Sequence, residues 1–344
     1  MIDVKHTTNV LQRVISHIVI LVLGSLAVFT CQRLAKTIGF DDMTSETHHR
    51  EVESLVLKVG GDECLKNIGG YLTVKMQLSQ SLIIPLLHPH IFFDRNAPSL
   101  YPPTGILLSG PPGTGKTMFA RACAHESSSI LISVASSVLE SKWWGDSAKI
   151  LHAIFQTASK KRSCIIFFDE IDGIGRARCD ADQSCVYSLK CELLRNIDSL
   201  RQDEVNPVIV LACTNHPRTI DPALLRRFPC QIKLPLPNVH ERVHIIRVLN
   251  KCQPIDESLV LRIALATHGC SGADLTVSYR EACTARLWDT VASSGGTCLS
   301  RGTGAEFLNR RIGPLKWNHW RQSRILSKEN KGSEKTATNP TELN

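Results

Sequence analysis

The sequence has no pair of cysteines in C-x-x-C spacing, although 13 cysteines are scattered along its 344 residues. This odd, unpatterned set argues against a disulfide scaffold and against structural zinc, and it favours a reducing compartment for the folded part. Internal repeats are also lacking, which excludes an architecture of tandem units. The remaining composition is typical of a globular protein, and the length suits two domains, or one domain with a smaller lid and tails.

Acidic residues are fewer than basic ones, and the formal net charge is +8. Much of the excess lies in the C-terminal tail, at Lys316, Arg321, Arg324, Lys328, Lys331 and Lys335. A basic tail can contact nucleic acid or anionic lipid, but such tails are more often only solvated. Nucleic-acid binding is therefore the least favoured function.

Charged residues are absent between Arg13 and Arg33, and residues 14–32 are predominantly apolar. As a helix this segment would span roughly 28 Å, close to the hydrocarbon core of a bilayer. A cleaved signal peptide would have a shorter apolar stretch followed by an A-x-A-like site, and a buried soluble helix would show a polar face. We therefore expect a single-pass membrane anchor within residues 1–35. Basic residues flank it on both sides, so charge does not settle its orientation.

Short apolar runs alternate with helical patterns from residue 61 to 237, which is typical of an α/β domain with a parallel sheet. The predicted strands are Gly105–Leu108, Ile130–Val134, Cys164–Phe168, Val208–Ala212 and Gln231–Leu234. Residues 238–293 show only helical patterns and are predicted to form a small helical domain. Residues 36–60 are interpreted as a linker, and residues 294–344 as a divergent C-terminal segment with a polar, basic tail.

A phosphate-binding loop is the most specific motif. It matches G-x-x-x-x-G-K-[ST] and consists of Gly110, Pro111, Pro112, Gly113, Thr114, Gly115, Lys116 and Thr117. A predicted strand precedes it, and a helical run beginning at Met118 follows. The glycines let backbone amides point at phosphate oxygens, and the helix N-terminus adds positive potential. Lys116 would bind the β- and γ-phosphates, and Thr117 would bind Mg²⁺.

Two further predicted strands end in polar residues suited to ATP hydrolysis. Asp169 and Glu170 follow four apolar residues. Asp169 would help to bind Mg²⁺, and Glu170 would orient or deprotonate the attacking water. Asn215 follows another strand and could hydrogen-bond that water or the γ-phosphate. Each signal is weak alone, because many strands end in polar turns, but ligands of such sheets bind at the carboxyl ends of the strands.

Two other segments are candidate functional loops. Arg226 and Arg227 are adjacent, and guanidinium groups bind phosphate and stabilise the charge of a transferring phosphoryl group. The alternative is a solvated basic turn. The second segment consists of Lys142, Trp143, Trp144 and Gly145. Two adjacent tryptophans cannot both face the core from one regular element, so we expect an exposed contact loop rather than core packing.

In this order, the motifs resemble those of the AAA ATPases, in the branch that includes katanin, spastin, the ESCRT-disassembling ATPase and thorase. The resemblance covers residues 67–291 and begins at Ile68-Gly69-Gly70, which looks like the adenine-side loop of the family. It ends at Gly269–Leu275, which resembles the helical-lid motif that completes the nucleotide pocket. The resemblance implies ATP and Mg²⁺ as cofactors. It adds Ile68, Gly69, Met118, Gly272 and Ala273 to the nucleotide-binding residues.

The resemblance also implies a homo-hexamer with ATP between subunits. Arg226 and Arg227 would act on the nucleotide of the neighbour, and Trp143 and Trp144 would line a pore through which a polypeptide is pulled. The apolar N-terminal segment, the paired aromatics and Pro229 favour the thorase branch. This predicts extraction of mislocalised tail-anchored proteins, with the N-terminal helix in lipid and the ATPase in the cytosol, at the mitochondrial outer membrane or peroxisomes. The alternatives are a cytoskeleton- or ESCRT-remodelling ATPase, and an ATP-binding adaptor without turnover.

Some positions depart from the family pattern. His216 stands where arginine is usual, and Cys270 stands where an aromatic residue is common. Leu315–Trp320 replaces the usual acidic-aromatic signature of the C-terminal helix. The departures leave the predicted catalytic set intact and concern the coupling between subunits and the C-terminal assembly contacts.

Overall fold

The computed structural model describes residues 55–57, 63–93, 101–135, 147–175, 184–200, 205–251, 256–293 and 316–321. These residues belong to one compact unit, Leu55–Asn344. The predicted anchor, most of the predicted linker and the aromatic loop Lys142–Gly145 lie outside the described residues. None of the helices within these ranges is both long and apolar enough to cross a membrane.

A six-stranded sheet forms the centre of the large domain. Its strands are β1 (Val56–Leu57), β2 (Gly105–Ser109), β3 (Ile130–Ala135), β4 (Cys164–Asp169), β5 (Val208–Thr214) and β6 (Cys230–Lys233). Their order across the sheet is β1-β3-β4-β5-β2-β6, and all pairs are parallel except β1 with β3. The predicted parallel sheet is confirmed, and each predicted strand lies within one or two residues of its expected bounds. Strand β1 was not predicted, because a strand of only two residues shows no alternation of apolar and polar side chains.

Helices cover both faces of this sheet. They are α1 (Leu72–Leu78), which continues through a π-helical turn (Ser79–Ile83) into α2 (Ile84–Leu87), then α3 (Pro89–Phe92), α4 (Lys116–Glu126), α5 (Ser147–Ser159), α6 (Asp172–Gly175), α7 (Ser184–Ser199) and α8 (Pro222–Leu225). Phe167 of β4 lies in the core cluster that contains Phe119 of α4. The next residue, Phe168, stacks on Phe155 of α5 with ring centroids 6.4 Å apart. Successive strand residues point to opposite faces, so β4 needs an apolar residue at every position.

A smaller group of helices, called the helical domain here, follows the sheet. It contains α9 (Val239–Leu249), α10 (Glu257–Ala266) and α11 (Gly272–Ser293). Helix α9 begins with a capping box, in which Asn238 and Glu241 each accept a hydrogen bond from the backbone amide of the other. This arrangement satisfies amides that have no partner in the first helical turn.

A short C-terminal helix, α12 (Trp317–Arg321), also packs into this domain. Trp320 is fully buried in a cluster with Ile246 and Ala282. The guanidinium of Arg262 lies 4.2 Å from the ring centroid of Trp317. Part of the segment that the sequence pattern set apart as divergent therefore completes the core of the helical domain.

Candidate nucleotide-binding and hydrolysis site

The phosphate loop connects β2 to α4 at the carboxyl edge of the sheet. Gly113 and Gly115 have φ angles of 76° and 97°, which glycine adopts without steric cost. The Lys116 ammonium donates to the carbonyl oxygens of Gly110 and Pro111, at 2.9 Å each. Burial lowers the pKa of Lys116 below its usual value. The loop and its lysine are thus arranged as a cradle for phosphate oxygens.

A hydroxyl and a carboxylate meet beside this loop. Thr117 Oγ1 donates to Asp169 Oδ2 over 2.9 Å, although the residues are 52 positions apart. Asp169 Oδ1 accepts from the backbone amide of Glu170 at 3.1 Å, which orients the carboxylate. Oxygen ligands of this type suit Mg²⁺, which usually takes its other ligands from water and substrate phosphates. The two residues therefore fit the magnesium site expected from the sequence.

Glu170 follows β4 in an uncommon backbone conformation. Its φ of 52° is left-handed, which costs a non-glycine residue on the order of 1–3 kcal/mol. Its side chain is exposed, and its carboxylate makes no hydrogen bond within the part of the chain described here. Strain of this kind clusters at functional sites. The carboxylate is available to act on a water molecule beside Asp169.

Strand β5 carries Asn215 to the same edge, between β4 and β2. The Thr214 carbonyl accepts from the amide of Gly110 at 3.3 Å, and the Thr214 hydroxyl donates to Asp172 at 2.8 Å. The end of β5 is thus bonded both to the phosphate loop and to the turn after Glu170. Asn215 Oδ1 is buried without a hydrogen-bond partner among the described residues. An unpaired buried oxygen costs about 1–3 kcal/mol and indicates an additional ligand, such as water.

A cleft of about 330 Å³ adjoins the phosphate loop along α4. It is lined by Glu63, Cys64, Asn67, Ile68, Thr117, Met118, Arg121 and Ala122. This volume lies at the lower end of the range for small-molecule sites. Ile68 and Met118, which the family resemblance assigned to the nucleotide pocket, therefore line one cleft.

Sequence reasoning missed two contacts that build this cleft. Arg121 forms an ion pair with Glu63 at 3.0 Å, and Glu126 accepts from the backbone amide of Leu65 at 3.2 Å. Both hold the segment before Ile68 against α4. The partners are 58 and 61 positions apart and belong to no motif, so no sequence signal could have found them.

The segment from Ile68 to Tyr71 also contacts the helical domain and its connection. A Cβ atom on Gly69 would lie 2.4 Å from Ile245 Cα, so the backbone there touches α9. Tyr71 donates to the Pro235 carbonyl at 3.1 Å, and burial raises the pKa of Tyr71 to about 12. The segment that follows Ile68 at the edge of the cleft therefore joins the large domain to the helical domain.

The start of α11 reaches the phosphate loop directly. The backbone amide of Ala273 donates to the carbonyl of Gly113 at 3.0 Å. A Cβ atom on Gly113 would lie 2.6 Å from the Ser271 hydroxyl oxygen, so only glycine fits there. Asp274 accepts from both the amide and the hydroxyl of Ser271, which holds the turn. Gly272 and Ala273 thus lie at the phosphate loop.

The two adjacent arginines have different surroundings. Arg226 is exposed, and its side chain has no ion pair or hydrogen bond to any described residue. Arg227 forms a two-point ion pair with Asp198 of α7, with Nε–Oδ1 and Nη2–Oδ2 distances of 2.9 and 2.7 Å. These hydrogen bonds lower the pKa of the Asp198 carboxyl.

The arginines do not lie at the phosphate loop of their own subunit. A Cβ atom on Gly105, the first residue of β2, would lie 2.2 Å from the Arg227 carbonyl oxygen. Strand β2 ends at Ser109, about 13 Å further along the sheet, and the phosphate loop begins there. Of the predicted site residues, the structure thus brings together all except this pair and the undescribed loop Lys142–Gly145.

These motifs and this fold are shared with known proteins. Residues 106–236 match the profile of the ATPase family associated with various cellular activities (AAA). The chain is 33% identical over 253 residues to the outer mitochondrial transmembrane helix translocase of Homo sapiens, covering 73% of this chain and 70% of that protein. It is 34% identical over 267 residues to the mitochondrial sorting homolog of Caenorhabditis elegans, covering 76% and 77%. It is also similar to the crystal structure of the FIGL-1 AAA domain in complex with ADP, with a TM-score of 0.62, 27% identity, and coverage of 84% of this chain and 96% of that one.

Proposed function

This chain belongs to the AAA ATPase family and is an ATP hydrolase, and we propose that it extracts membrane proteins by pulling them through the pore of a homo-hexamer. One observation carries the hydrolytic part of this proposal. The Thr117 hydroxyl and the Asp169 carboxylate meet beside the phosphate loop, and β5 brings Asn215 to the same edge. Glu170 directly follows Asp169, and its exposed carboxylate has no hydrogen-bond partner among the described residues. That set can bind Mg²⁺ and a nucleophilic water next to a γ-phosphate.

Each side chain has a specific part in hydrolysis. Lys116 and the amides of the phosphate loop would bind the β- and γ-phosphates, and Thr117 and Asp169 would hold Mg²⁺. Bound Mg²⁺ would supply positive charge to the phosphate oxygens. Glu170 would orient the attacking water and accept its proton, and Asn215 would hold that water or a γ-phosphate oxygen by a hydrogen bond.

The arginines support a site shared between subunits. Their turn lies at the amino end of β2, about 13 Å from the phosphate loop of the same chain. An arginine at that distance cannot reach its own γ-phosphate, but it can reach the nucleotide of an adjacent subunit, as arginine fingers do. A ring in which each subunit completes the site of the next one agrees with the hexamers that AAA ATPases generally form.

The relatives support a membrane-protein substrate. The human relative is named as a translocase of transmembrane helices in the outer mitochondrial membrane. In this chain, residues 14–32 would anchor the ATPase in the mitochondrial outer membrane, or in peroxisomes, with the catalytic domain in the cytosol. Trp143 and Trp144 would grip the polypeptide by apolar contact, which needs little sequence specificity. Tail-anchored proteins are the substrate class that we propose.

The test measures ATP hydrolysis and mass together for the full chain in lipid nanodiscs, with Glu170→Gln as the matched variant. We expect the native chain to hydrolyse ATP as a six-subunit species, and the variant to bind ATP with a turnover at least 100-fold lower. A native chain that binds ATP as a monomer without turnover would be an adaptor, which would refute the proposed motor.

The pore loop has a separate test. Changing Trp143 and Trp144 to alanine should leave basal ATP hydrolysis intact and abolish release of a tail-anchored protein from the same nanodiscs. If the double variant released the substrate at the native rate, the aromatic loop would not be the gripping element.

A further inference from the structure

Helix α7 contacts the arginine turn, defined here as residues 221–228, at two points. Near the middle of α7, the buried Lys190 ammonium lies 3.0 Å from Asp221 Oδ2. Near its C-terminal end, Asp198 forms the two-point ion pair with Arg227. The two α7 residues are eight positions apart, about 12 Å along the helix axis. One helix therefore holds both ends of the arginine turn.

The backbone of the arginine turn is fixed as well. At its start, Asp221 Oδ1 accepts from the amide of Ala223 at 2.8 Å and caps α8, and the Asp221 amide donates to the Gly175 carbonyl at 2.7 Å. At its end, Arg227 Nη1 donates to the Ala223 carbonyl at 3.2 Å, and the Arg227 carbonyl packs on Gly105. The turn is thus held against α6, α7 and the first residue of β2.

Within this turn, only Arg226 presents to the surface a guanidinium that has no partner among the described residues. Arg227 already satisfies three of its donors within its own subunit. A guanidinium that is held in a bidentate carboxylate pair would have to give up these charge-assisted hydrogen bonds before it could bind a phosphate. The two arginines are therefore not equivalent, although they are neighbours in the sequence.

We propose that Arg226 alone acts on the nucleotide of the neighbouring subunit, and that Arg227, Asp198 and Lys190 are positioning residues that fix the turn presenting it. This inference rests on the proposed function, and it replaces the expectation that both arginines contact phosphate. It assigns a role in hydrolysis to α7, which carries none of the recognised motifs.

The first experiment measures kcat and KM for ATP in the full chain. Arg226→Ala should lower kcat by about 100-fold or more with little change in KM. Arg227→Gln and Asp198→Asn should each lower kcat by the same smaller factor, about 5- to 10-fold. The double variant should lower kcat by no more than either single variant, because both substitutions remove the same contact. Arg195→Gln is the matched control, since this α7 arginine is 74% exposed and, among the described residues, pairs only with Glu192 along the helix.

The second experiment mixes subunits, which separates an effect on the neighbour from a loss of structure. Arg226→Ala keeps its own hydrolytic residues, and Glu170→Gln keeps its arginine turn. Neither variant should hydrolyse ATP alone, but a mixed ring should regain activity. The active sites are those of Arg226→Ala subunits that receive the intact arginine from a neighbouring Glu170→Gln subunit. A mixture of Asp198→Asn with Glu170→Gln should behave in the same way. In this mixture, an Asp198→Asn subunit should regain native turnover at its own site when its neighbour is a Glu170→Gln subunit. If Asp198 only supported the fold of its own subunit, this mixture would show no gain.

The outcomes separate this inference from the proposed function. A native chain without ATP turnover would refute the motor itself. A native motor in which Arg227→Gln loses as much kcat as Arg226→Ala, while Asp198→Asn keeps native kcat, would overturn the assignment of a single acting arginine. It would show that Arg227 leaves Asp198 to bind the phosphate of the neighbour.

Discussion

Replacing Trp320 with alanine should release α12 from the helical domain. The indole is fully buried between α9, α10 and α11, and its ring centroid lies 6.1 Å from that of Tyr279. Truncation of a buried tryptophan costs about 3–5 kcal/mol through lost contacts and the cavity that remains. A five-residue helix has no stability of its own, so docking depends entirely on such contacts.

The other contacts of α12 are too weak to compensate. The Arg262 guanidinium over Trp317 contributes about 0.5–1 kcal/mol at a partly exposed site. His319 contacts Asp289 at 3.0 Å, and a hydrogen bond of this kind adds about 0.5–1.5 kcal/mol. Together they add about 1–2.5 kcal/mol, which is less than the cost of ordering the five residues of α12 at about 1–2 kcal/mol each, so the docked state should no longer be favoured.

Hydrogen exchange at the amides of α12, together with denaturant unfolding, measures this effect. Trp288→Ala is the matched control, because Trp288 is 65% exposed on α11 and its removal should change stability by less than about 0.5 kcal/mol. Trp320→Phe should cost much less than alanine, since the indole nitrogen is buried without a partner among the described residues. If Trp320→Ala behaved like Trp288→Ala in both assays, the packing argument for α12 would be refuted.

Three further predictions follow from the site. Thr117→Ala should lower ATP turnover about 10- to 100-fold at limiting Mg²⁺, with partial recovery at high Mg²⁺. If the turnover of the native and variant proteins had the same dependence on Mg²⁺ concentration, the assignment of Thr117 would be contradicted. Gly113→Ala should abolish ATP binding, measured with a fluorescent nucleotide, whereas Gly269→Ala should keep it. Both glycines have a φ of 76°, but a Cβ atom meets Ser271 only at Gly113. The native protein should lose stability as the pH rises from 10 to 12, and Tyr71→Phe should not show this loss. Folding raises the tyrosine pKa from 10.0 to about 12, so the native state is stabilised fully below pH 10 and loses this stabilisation as the pH rises. Urea unfolding at pH 9 and pH 11 checks this, and equal pH dependence in both proteins would refute it.

Sequence reasoning worked where the signal was local. The five strands of the parallel sheet were predicted because each is a short apolar run, and buried parallel strands need apolar residues on both faces. The phosphate loop was predicted because its glycines, lysine and threonine are contiguous and lie between a strand and a helix. Asp169 and Asn215 were both expected at the ends of strands, and the structure places them at the ends of the neighbouring strands β4 and β5.

Sequence reasoning failed where two distant residues determine the outcome. The equal treatment of Arg226 and Arg227 could not be refined, because their difference depends on Asp198, which lies 29 positions away from Arg227 in another helix. The Glu63–Arg121 pair beside the cleft and the docking of Trp320 are of the same kind. None of these contacts leaves a periodic pattern or a motif.

By itself, the sequence determined the fold class, the five parallel strands and the chemical types present at the site. These follow from short-range rules, since apolar spacing reports which face of an element is buried, and a contiguous loop carries its own geometry. Only the tertiary structure decided the strand order β1-β3-β4-β5-β2-β6, which brings Thr117, Asp169 and Asn215 to one edge. It alone placed the arginine turn at the opposite end of β2 and left Arg226 without a partner in the described part of the chain. Those features depend on contacts between residues far apart in the chain, whose free energies exist only once the elements have packed together.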